Sequence, residues 1–529
     1  MKTTQNEEQF FPTKALPEKE FYEFALNRIQ QDGTFMCLGD VLRSTAMRTP
    51  DWIALLYKDQ KVTYKQLYGW AVRLSILLKQ KGVKPDDRVL LWFENSIEFY
   101  VAINAIVQIG AVAAPLNVFL KQNEAEIIIQ NAKPAMLIIS KKLSEKLDDA
   151  DIDLPPIITE DDFDLSEVEE LPEFEVTRID PEKMALLLYT SGTTGVPKGV
   201  MISSKNILSN IAQGVARLGL TSNERIFGAL PLFHSFSQLT CVWGALIVSC
   251  SVIVIPKIER RSLLEGLKQK PTIFLGVPTL FGLMCMLKTA NFESVKYFVS
   301  GGDALPDKIR AGFALLYRRK ICNGYGLTET SPLIAVDFDD ELQPTSSVGR
   351  PVLGMKIQIR DEKGRVLSHG DIGELWVKGD NVMLGYYDAP EATEEVLQDG
   401  WFKTGDLAYI DQKGRIVITG RAKDLIIHKG FNIYPQEVEN VILSHQNVIF
   451  CGVIGISDEQ TGQIPIAFVQ LNEPQENIEQ ELRALCKKNL AEYKIPRKFI
   501  SSKEDLPKTA TGKLDKKKLR QRYENNDKE

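Results

Sequence analysis

The sequence predicts an α/β fold: a large N-terminal domain of layered β-sheets with helices, including a β-rich subdomain, followed by a small α+β C-terminal lid. Three observations carry this reading. Between residues 63 and 115, apolar strand-like runs alternate with runs of helical period, as in an open sheet covered by helices. From Pro351 to Asp411 the pattern changes to short alternating strands punctuated by glycine, such as KIQIRDEKG and GELWVKGD. Beyond Gly420 come a helix pattern, two strand patterns and a basic tail, enough for a separate compact unit. The expected division is 1–420, with the β-rich part at about 345–420, and 421–529 for the lid.

The elements run in order along the chain. Residues before about 35 are polar and Glu-rich with one amphipathic stretch, Phe21 to Ile29, expected to wrap the surface of the large domain. Thr63 and Gln66 form a capping-box pattern, Leu67, Trp70, Leu74 and Leu78 recur at helical spacing, and Gly82 ends the helix. A strand over Arg88 to Phe93, a buried helix over Ile97 to Gly110 and a strand start over Val112 to Pro115 come next. Ser140 to Pro181 is acidic and aperiodic, which predicts a solvated connection. Strand-like runs return at Ala185 to Leu188, Ile226 to Leu230, Val252 to Ile255 and Thr272 to Leu275. In the lid, Pro435 to Leu443 reads as a helix, and Val448 to Ile456 and Pro465 to Leu471 as strands. No repeat of solenoid period is present.

Composition bounds the function. The chain has 529 residues, 44% of them apolar, and 64 basic against 70 acidic residues for a net charge of −6. That length suits a large enzyme of several lobes better than a small binding module. The acidic excess argues against a chain-wide nucleic-acid surface, so no nucleic-acid partner is expected. Seven single Cys without a CxxC pair, beside four His, favour neither a disulfide framework nor a zinc cage. MKTTQNEEQFFPTK lacks the apolar run of a secretory signal, which points to the cytoplasm. Leu239 to Pro256 is uncharged over eighteen positions, close to a membrane span. The β-branched run Val252 to Ile255 and the interruption at Ser249, Cys250 and Ser251 read instead as a buried helix entering a buried strand, so no transmembrane segment is expected.

The strongest local signal is Tyr189-Thr190-Ser191-Gly192-Thr193-Thr194-Gly195-Val196-Pro197-Lys198-Gly199, directly after an apolar strand. Glycines let backbone N–H groups turn toward an anion, the hydroxyls of Thr190, Ser191, Thr193 and Thr194 add donors, and Lys198 adds positive charge. This is a phosphate-holding loop, although its spacing is not GxxxxGK[ST].

With this loop, the chain resembles the adenylate-forming superfamily, which includes acyl-CoA synthetases, luciferases and nonribosomal adenylation domains. Further blocks carry the resemblance in order: Gly301-Gly302-Asp303-Ala304, Asn323-Gly324-Tyr325-Gly326-Leu327-Thr328-Glu329-Thr330, Thr404-Gly405-Asp406, Gly420-Arg421-Ala422-Lys423-Asp424 and Pro507-Lys508-Thr509-Ala510-Thr511-Gly512-Lys513. It spans roughly residues 35 to 520.

The resemblance implies a role for each block in joining a carboxylate to ATP. Lys513 would bridge carboxylate and phosphate oxygens from the lid, a task suited to a flexible point charge. Asp406 would accept both ribose hydroxyls, with Arg421 donating to ribose or phosphate. The Tyr325 ring would stack on adenine within the Asn323-Gly324-Tyr325-Gly326 block, with Thr328 beside the phosphates. Glu329, with Thr190, would bind Mg2+. Gly301 and Gly302, leading into Asp303, would allow close approach of adenine and the acyl group. Lys423 matches the hinge of a lid that swings between two half-reactions, so the lid is expected to be mobile. Gly430, in Lys429 to Pro435, would line the pantetheine passage for coenzyme A. Ile427 stands where luciferase-like members have a lysine, which disfavours light emission.

Pro231-Leu232-Phe233-His234-Ser235-Phe236 occupies the substrate-side motif, without the aspartate that amino-acid-activating relatives use for the substrate ammonium. An amino acid substrate is therefore disfavoured, since a buried ammonium without a counter-charge is costly. His234 is expected to shape the acyl and pantetheine passages. PLFHSF, GYGLTETSP and NVMLGYYDAPEAT look most like fatty acyl-CoA ligases of medium to long chain, an analogy of motif style. The resemblance thus implies fatty acid, ATP and coenzyme A as substrates and Mg2+ as cofactor. An acyl carrier protein as acceptor, an aromatic or other acid, and a non-catalytic nucleotide-binding regulator are the rival expectations. A long-chain substrate would bring peripheral membrane contact.

Overall fold

The computed structural model describes residues 17–31, 33–191, 197–287, 290–338, 347–458, 460–508 and 514–526. Its architecture is mixed α/β, with two large sheets separated and flanked by helices and a smaller sheet in the C-terminal part.

The first sheet has seven strands in the order Gly385–Tyr386, Pro197–Ser203, Met184–Ser191, Val112–Pro115, Arg88–Trp92, Met136–Ile139 and Ile157–Ile158. Pairing is parallel from Met184–Ser191 to Ile157–Ile158 and antiparallel on the other side. Alternation of side chains explains how it is covered twice. In Arg88–Trp92, Val89 and Leu91 point into a core shared with the helices Tyr64–Gln80 and Ile97–Gln108, while Leu90 and Trp92 point into a second core with helix Gln122–Ala132. Helix Tyr64–Gln80 begins at the predicted capping box: Gln66 N donates to Thr63 Oγ1 at 3.2 Å and Thr63 N to Gln66 Oε1 at 2.9 Å.

The second sheet has fourteen strands among the described residues. Its middle is parallel, with Tyr297–Ser300 between Ile273–Gly276 and Ile321–Gly326. Phe227 and Ile253 face a Phe-rich core with helices Pro278–Met286 and Asp307–Tyr317, where Phe274 stacks on Phe227 at 4.7 Å. Ile226, Val252 and Val254 face the other way, into the core between the sheets. The Leu239 to Pro256 run is, as predicted, helical turns over Gln238–Gly244 and Ala245–Val248 entering the strand Ser251–Val254. No helix among the described residues is long and apolar enough to cross a membrane.

The Gly-punctuated strands after residue 345 do not stand apart. Leu333–Val336 pairs antiparallel with both Ile321–Gly326 and Ser347–Pro351, and the latter pairs with Ile416–Arg421. Trp401–Ile410, Gly373–Lys378 and Lys356–Arg360 then extend the same sheet.

Two acidic or polar stretches are more structured than their composition suggests. The 140–181 segment is irregular but docked: Val168 and Val176 are buried, Trp70 Nε1 donates to the Ser166 carbonyl at 2.8 Å, and Thr177 N donates to the Gln108 carbonyl at 2.9 Å. Isolated apolar residues among carboxylates are enough to seat it. Near the N-terminus, helix Glu18–Ile29 buries Phe21, Ala25 and Ile29, one face at i, i+4, i+8, and Glu18 pairs with Arg217 at 3.0 Å.

The C-terminal part is built on a five-stranded sheet. Val448–Asp458 and Gly462–Leu471 form a long antiparallel pair, and Lys498–Ser502 joins the second of these in parallel. Val453, Ala467 and Val469 face helices Pro435–Leu443 and Ile478–Asn489, whereas Ile454, Ile466 and Phe468 face Leu519 on helix Lys516–Asn526.

Candidate active site

Several of the predicted blocks are linked where the two large sheets meet: contacts reach Lys198, Ser235, Thr328, Glu329, Tyr325, Asp406 and Arg421. Strands Met184–Ser191 and Pro197–Ser203 form a hairpin that pairs Thr190 with Lys198 and Ser191 with Pro197. Gly192, Thr193, Thr194 and Gly195, the tip of the predicted phosphate loop, lie outside the described residues, as does Lys513. The base of the hairpin is nonetheless informative. Lys198 Nζ stands 5.0 Å from the centroid of the Tyr386 ring, a cation–π contact, and Tyr386 is carried by the neighbouring strand Gly385–Tyr386.

Tyr386 links that hairpin to the Gly-rich turn. Its hydroxyl donates to Glu329 Oε1 at 2.9 Å. Burial first, and then the Glu329 carboxylate, push the phenol well above its ordinary range, so it remains a donor at neutral pH. Met383 N donates to the Glu329 carbonyl at 2.9 Å, and Asn381 Nδ2 to the Thr330 carbonyl at 2.8 Å, which fastens the backbone directly after the Glu329 side chain. A carboxylate has about four lone-pair sites, so one phenol bond leaves acceptor capacity on Glu329. It is a hard oxygen donor of the type that Mg2+ takes with one or two carboxylates and substrate phosphates. Among the described residues no cluster of three His, Cys, Asp or Glu could hold a metal ion.

The second carboxylate is Asp406, 3% exposed on strand Trp401–Ile410. Its backbone N–H donates to Thr404 Oγ1 at 3.1 Å, and Thr404 Oγ1 donates to the Leu375 carbonyl at 2.8 Å, so the Thr404-Gly405-Asp406 turn is fastened to the sheet. Asp406 lies opposite Arg421 in the strand register. Arg421 Nε meets Asp406 Oδ1 at 2.8 Å, and the Tyr325 hydroxyl donates to Asp406 Oδ2 at 2.5 Å. Burial, followed by the Asp406 carboxylate, raises the Tyr325 phenol well above its usual range. For Arg421, burial acts against the cation, but Asp406 and then Tyr325 and Glu329 outweigh it, so its pKa is raised. The sequence singled out the Tyr325 ring; the structure adds its hydroxyl, which orients Asp406.

Small and apolar groups gather around Gly301 and Gly302, the predicted seat for adenine and the acyl group. Gly301 comes directly after strand Tyr297–Ser300, and a Cβ there would press on the Phe236 ring at 3.2 Å. Gly302 has φ +83°, a conformation that favours glycine, with Val277 the nearest side chain at 3.7 Å from a hypothetical Cβ. Ser235 Oγ and Thr328 Oγ1 are 3.2 Å apart, joining the 231–236 motif to the Gly-rich turn. Asp303, in contrast, turns its Oδ1 to the Ala304 N–H at 2.8 Å on an exposed loop.

His234 caps the short helix Ser235–Ser237: its Nδ1 accepts from Phe236 N at 3.2 Å. That contact places the proton of a neutral ring on Nε2. Asn323 spends its side-chain amide on the Ser347 carbonyl at 3.1 Å, where it helps join the two halves of the second sheet. Gly324 and Gly326 continue the same strand toward Thr328. Lys423 is exposed in the short turn Ala422–Asp424 immediately after Arg421. Gly430, at φ +80°, forms the tip of the hairpin between Ile426–His428 and Phe431–Ile433. The main residue missed by sequence reading is Tyr386, within the NVMLGYYDAPEAT run; its signal is spatial, 57 residues from Glu329.

Comparison with known proteins places the chain among adenylate-forming enzymes. The family model described as AMP-binding enzyme matches residues 42–387, and that of the AMP-binding enzyme C-terminal domain matches 437–513. The chain belongs to the AMP-binding enzyme family of the adenylate-forming superfamily. It is 31% identical over 525 residues to the long-chain-fatty-acid–CoA ligase of Bacillus subtilis, covering 91% of this chain and 94% of that protein. It is 33% identical over 480 residues to the 2-succinylbenzoate–CoA ligase of Bacillus licheniformis, covering 90% and 98%. The o-succinylbenzoate coenzyme A synthetase of Bacillus subtilis, solved in complex with ATP and magnesium ion, superposes with a TM-score of 0.80 at 31% identity, covering 90% of this chain and 98% of the other.

Proposed function

We propose that this protein is an ATP-dependent fatty acid:CoA ligase, forming acyl-AMP and pyrophosphate and then acyl-CoA and AMP. The observation that carries the reading is that one block, residues 323–330, reaches both carboxylates: Tyr325 donates to Asp406, which Arg421 also pairs, and Glu329 accepts from Tyr386. In the first half-reaction Asp406 accepts the ribose hydroxyls, the Tyr325 ring packs on adenine, and Thr190, Lys198 and the loop between them hold phosphate. Lys513 bridges the acid and the α-phosphate. Mg2+, held by Glu329 and Thr190, would neutralise phosphate charge when bound. In the second half-reaction the lid, residues 421–529, turns about Lys423, withdraws Lys513 and brings Gly430 to the path of the coenzyme A thiol, beside His234 of the large domain.

Support for an apolar monocarboxylic acid comes from the wall of the seat. Phe236 lies on Gly301 and Val277 beside Gly302, and the 231–240 segment has no Asp, Glu, Lys or Arg. An acyl chain is satisfied by such a wall, while a second carboxylate or an ammonium would be desolvated without a partner. The 2-succinylbenzoate ligases among the relatives favour an aromatic diacid as the second reading. A panel of acids from acetate to oleate, with benzoate and 2-succinylbenzoate, assayed for pyrophosphate release with ATP, Mg2+ and CoA, separates the two. A window of fatty chain lengths is expected to exceed 2-succinylbenzoate in kcat/KM by about tenfold or more, from a few buried methylenes at about 0.8 kcal/mol each. Preference for 2-succinylbenzoate would replace the fatty acid assignment and leave the ligase chemistry standing.

A further inference from the structure

Lys308 has no part in the ligase chemistry, yet it joins two separately built parts of the fold. It lies in the first turn of helix Asp307–Tyr317, which is rooted under the large sheet by Phe313, in ring contact with Phe281 and Phe298, and by the Tyr317 hydroxyl on the Met284 carbonyl at 2.7 Å. The Lys308 ammonium donates to three backbone carbonyls of the C-terminal part: His445 at 3.3 Å, Gln446 at 3.3 Å and Val448 at 2.9 Å. These carbonyls lie just past the C-terminal end of helix Pro435–Leu443, where a cation is favoured, and three acceptors match the three protons of the ammonium.

The receiving turn is firmly built. His445 N donates to the Ile442 carbonyl at 3.1 Å, Asn447 N to His445 Nδ1 at 3.3 Å, and His445 Nε2 meets Glu481 Oε2 at 3.1 Å. Both ends of the contact are therefore rigid, and sliding of one part over the other cannot be absorbed by a soft loop.

We propose that Lys308 is a latch that holds the C-terminal lid in the arrangement seen here, so that a turn about Lys423 must break its three bonds. Lys308 thereby sets the balance between the two half-reactions and is a positioning residue. This role rests on the two-step ligase reading; the latch itself does not.

The test uses the full chain with Lys308→Met, which keeps the aliphatic stem and removes the donors, and Lys308→Arg, which keeps charge and donors. ATP/pyrophosphate exchange and conversion of supplied acyl-AMP with CoA are measured separately, and small-angle X-ray scattering is recorded without ligands. K308M is expected to change the ratio of the two rates by about tenfold or more, the scale of losing charged hydrogen bonds that favour one of two states. Its scattering curve should depart from that of the parent, while K308R stays near the parent in both readouts. Unchanged scattering of K308M overturns the latch whatever the rates do. Changed scattering with both rates scaled by one common factor overturns its role in the reaction. If the parent turns over no acid, the ligase reading fails, and scattering still decides the latch.

Discussion

Lys513→Ala is expected to lower ATP/pyrophosphate exchange by about 10^2–10^3-fold, the scale of removing one group that stabilises transition-state charge. Adenylation brings a carboxylate against the α-phosphate, and in the proposed mechanism the Lys513 ammonium between them relieves that repulsion as charge builds on the phosphate. The residues on either side of 509–513 are anchored. Lys508 pairs antiparallel with Leu514, and Asp515 N donates to the Pro507 carbonyl at 2.8 Å, closing the chain on either side of the five residues between. Lys516 Nζ then meets Glu439 Oε1 at 2.8 Å, which ties the start of the last helix to helix Pro435–Leu443. Because the thioester step works on an acyl-AMP already made, the same variant should convert supplied acyl-AMP and CoA at close to the parent rate. Equal loss of both half-reactions would contradict a lysine that acts in only one of them.

Asp406→Ala is expected to raise the KM for ATP by about 10^2-fold, from the loss of two charge-assisted hydrogen bonds at about 1.5 kcal/mol each or more. It should also lower the melting temperature by several degrees. The carboxylate is 3% exposed and is shared by Arg421 at 2.8 Å and the Tyr325 hydroxyl at 2.5 Å, so its removal leaves a phenol and a guanidinium without their acceptor. Asp406→Asn keeps one carbonyl oxygen for Tyr325 and should recover most of the melting temperature while the KM stays high. ATP titrations and thermal melts of the two variants separate the contributions. An unchanged KM in Asp406→Ala would remove Asp406 from nucleotide recognition.

Local features are legible in the sequence because their causes are local. Thr63 and Gln66 cap their helix through a three-residue spacing, Pro435 opens the helix that runs to Leu443, and β-branched Val252 to Ile255 ends a helical run in a strand. The motif blocks are legible because each packs glycines, hydroxyls and charge into one stretch. What stays hidden depends on distant pairing. The strands after residue 345 alternate like any half-buried sheet, and nothing in them says that Ser347–Pro351 will pair with Leu333–Val336 and so extend the central sheet. Val168 and Val176 look incidental among acids until Gly69 and Gly39 give them seats. Tyr386 and Lys308 carry no local signature at all, because their roles come from partners 57 and about 140 residues away.

The central claim, that one chain makes an acyl adenylate and then passes the acyl group to coenzyme A, is tested most directly by mass spectrometry of a single preparation given ATP, Mg2+ and the best acid of the panel. Without CoA, acyl-AMP and pyrophosphate should accumulate at about one equivalent of enzyme; on adding CoA, acyl-CoA and AMP should form with turnover. Acyl-AMP that CoA leaves untouched, but that a carrier protein bearing phosphopantetheine discharges, would contradict the assignment of coenzyme A as the acceptor.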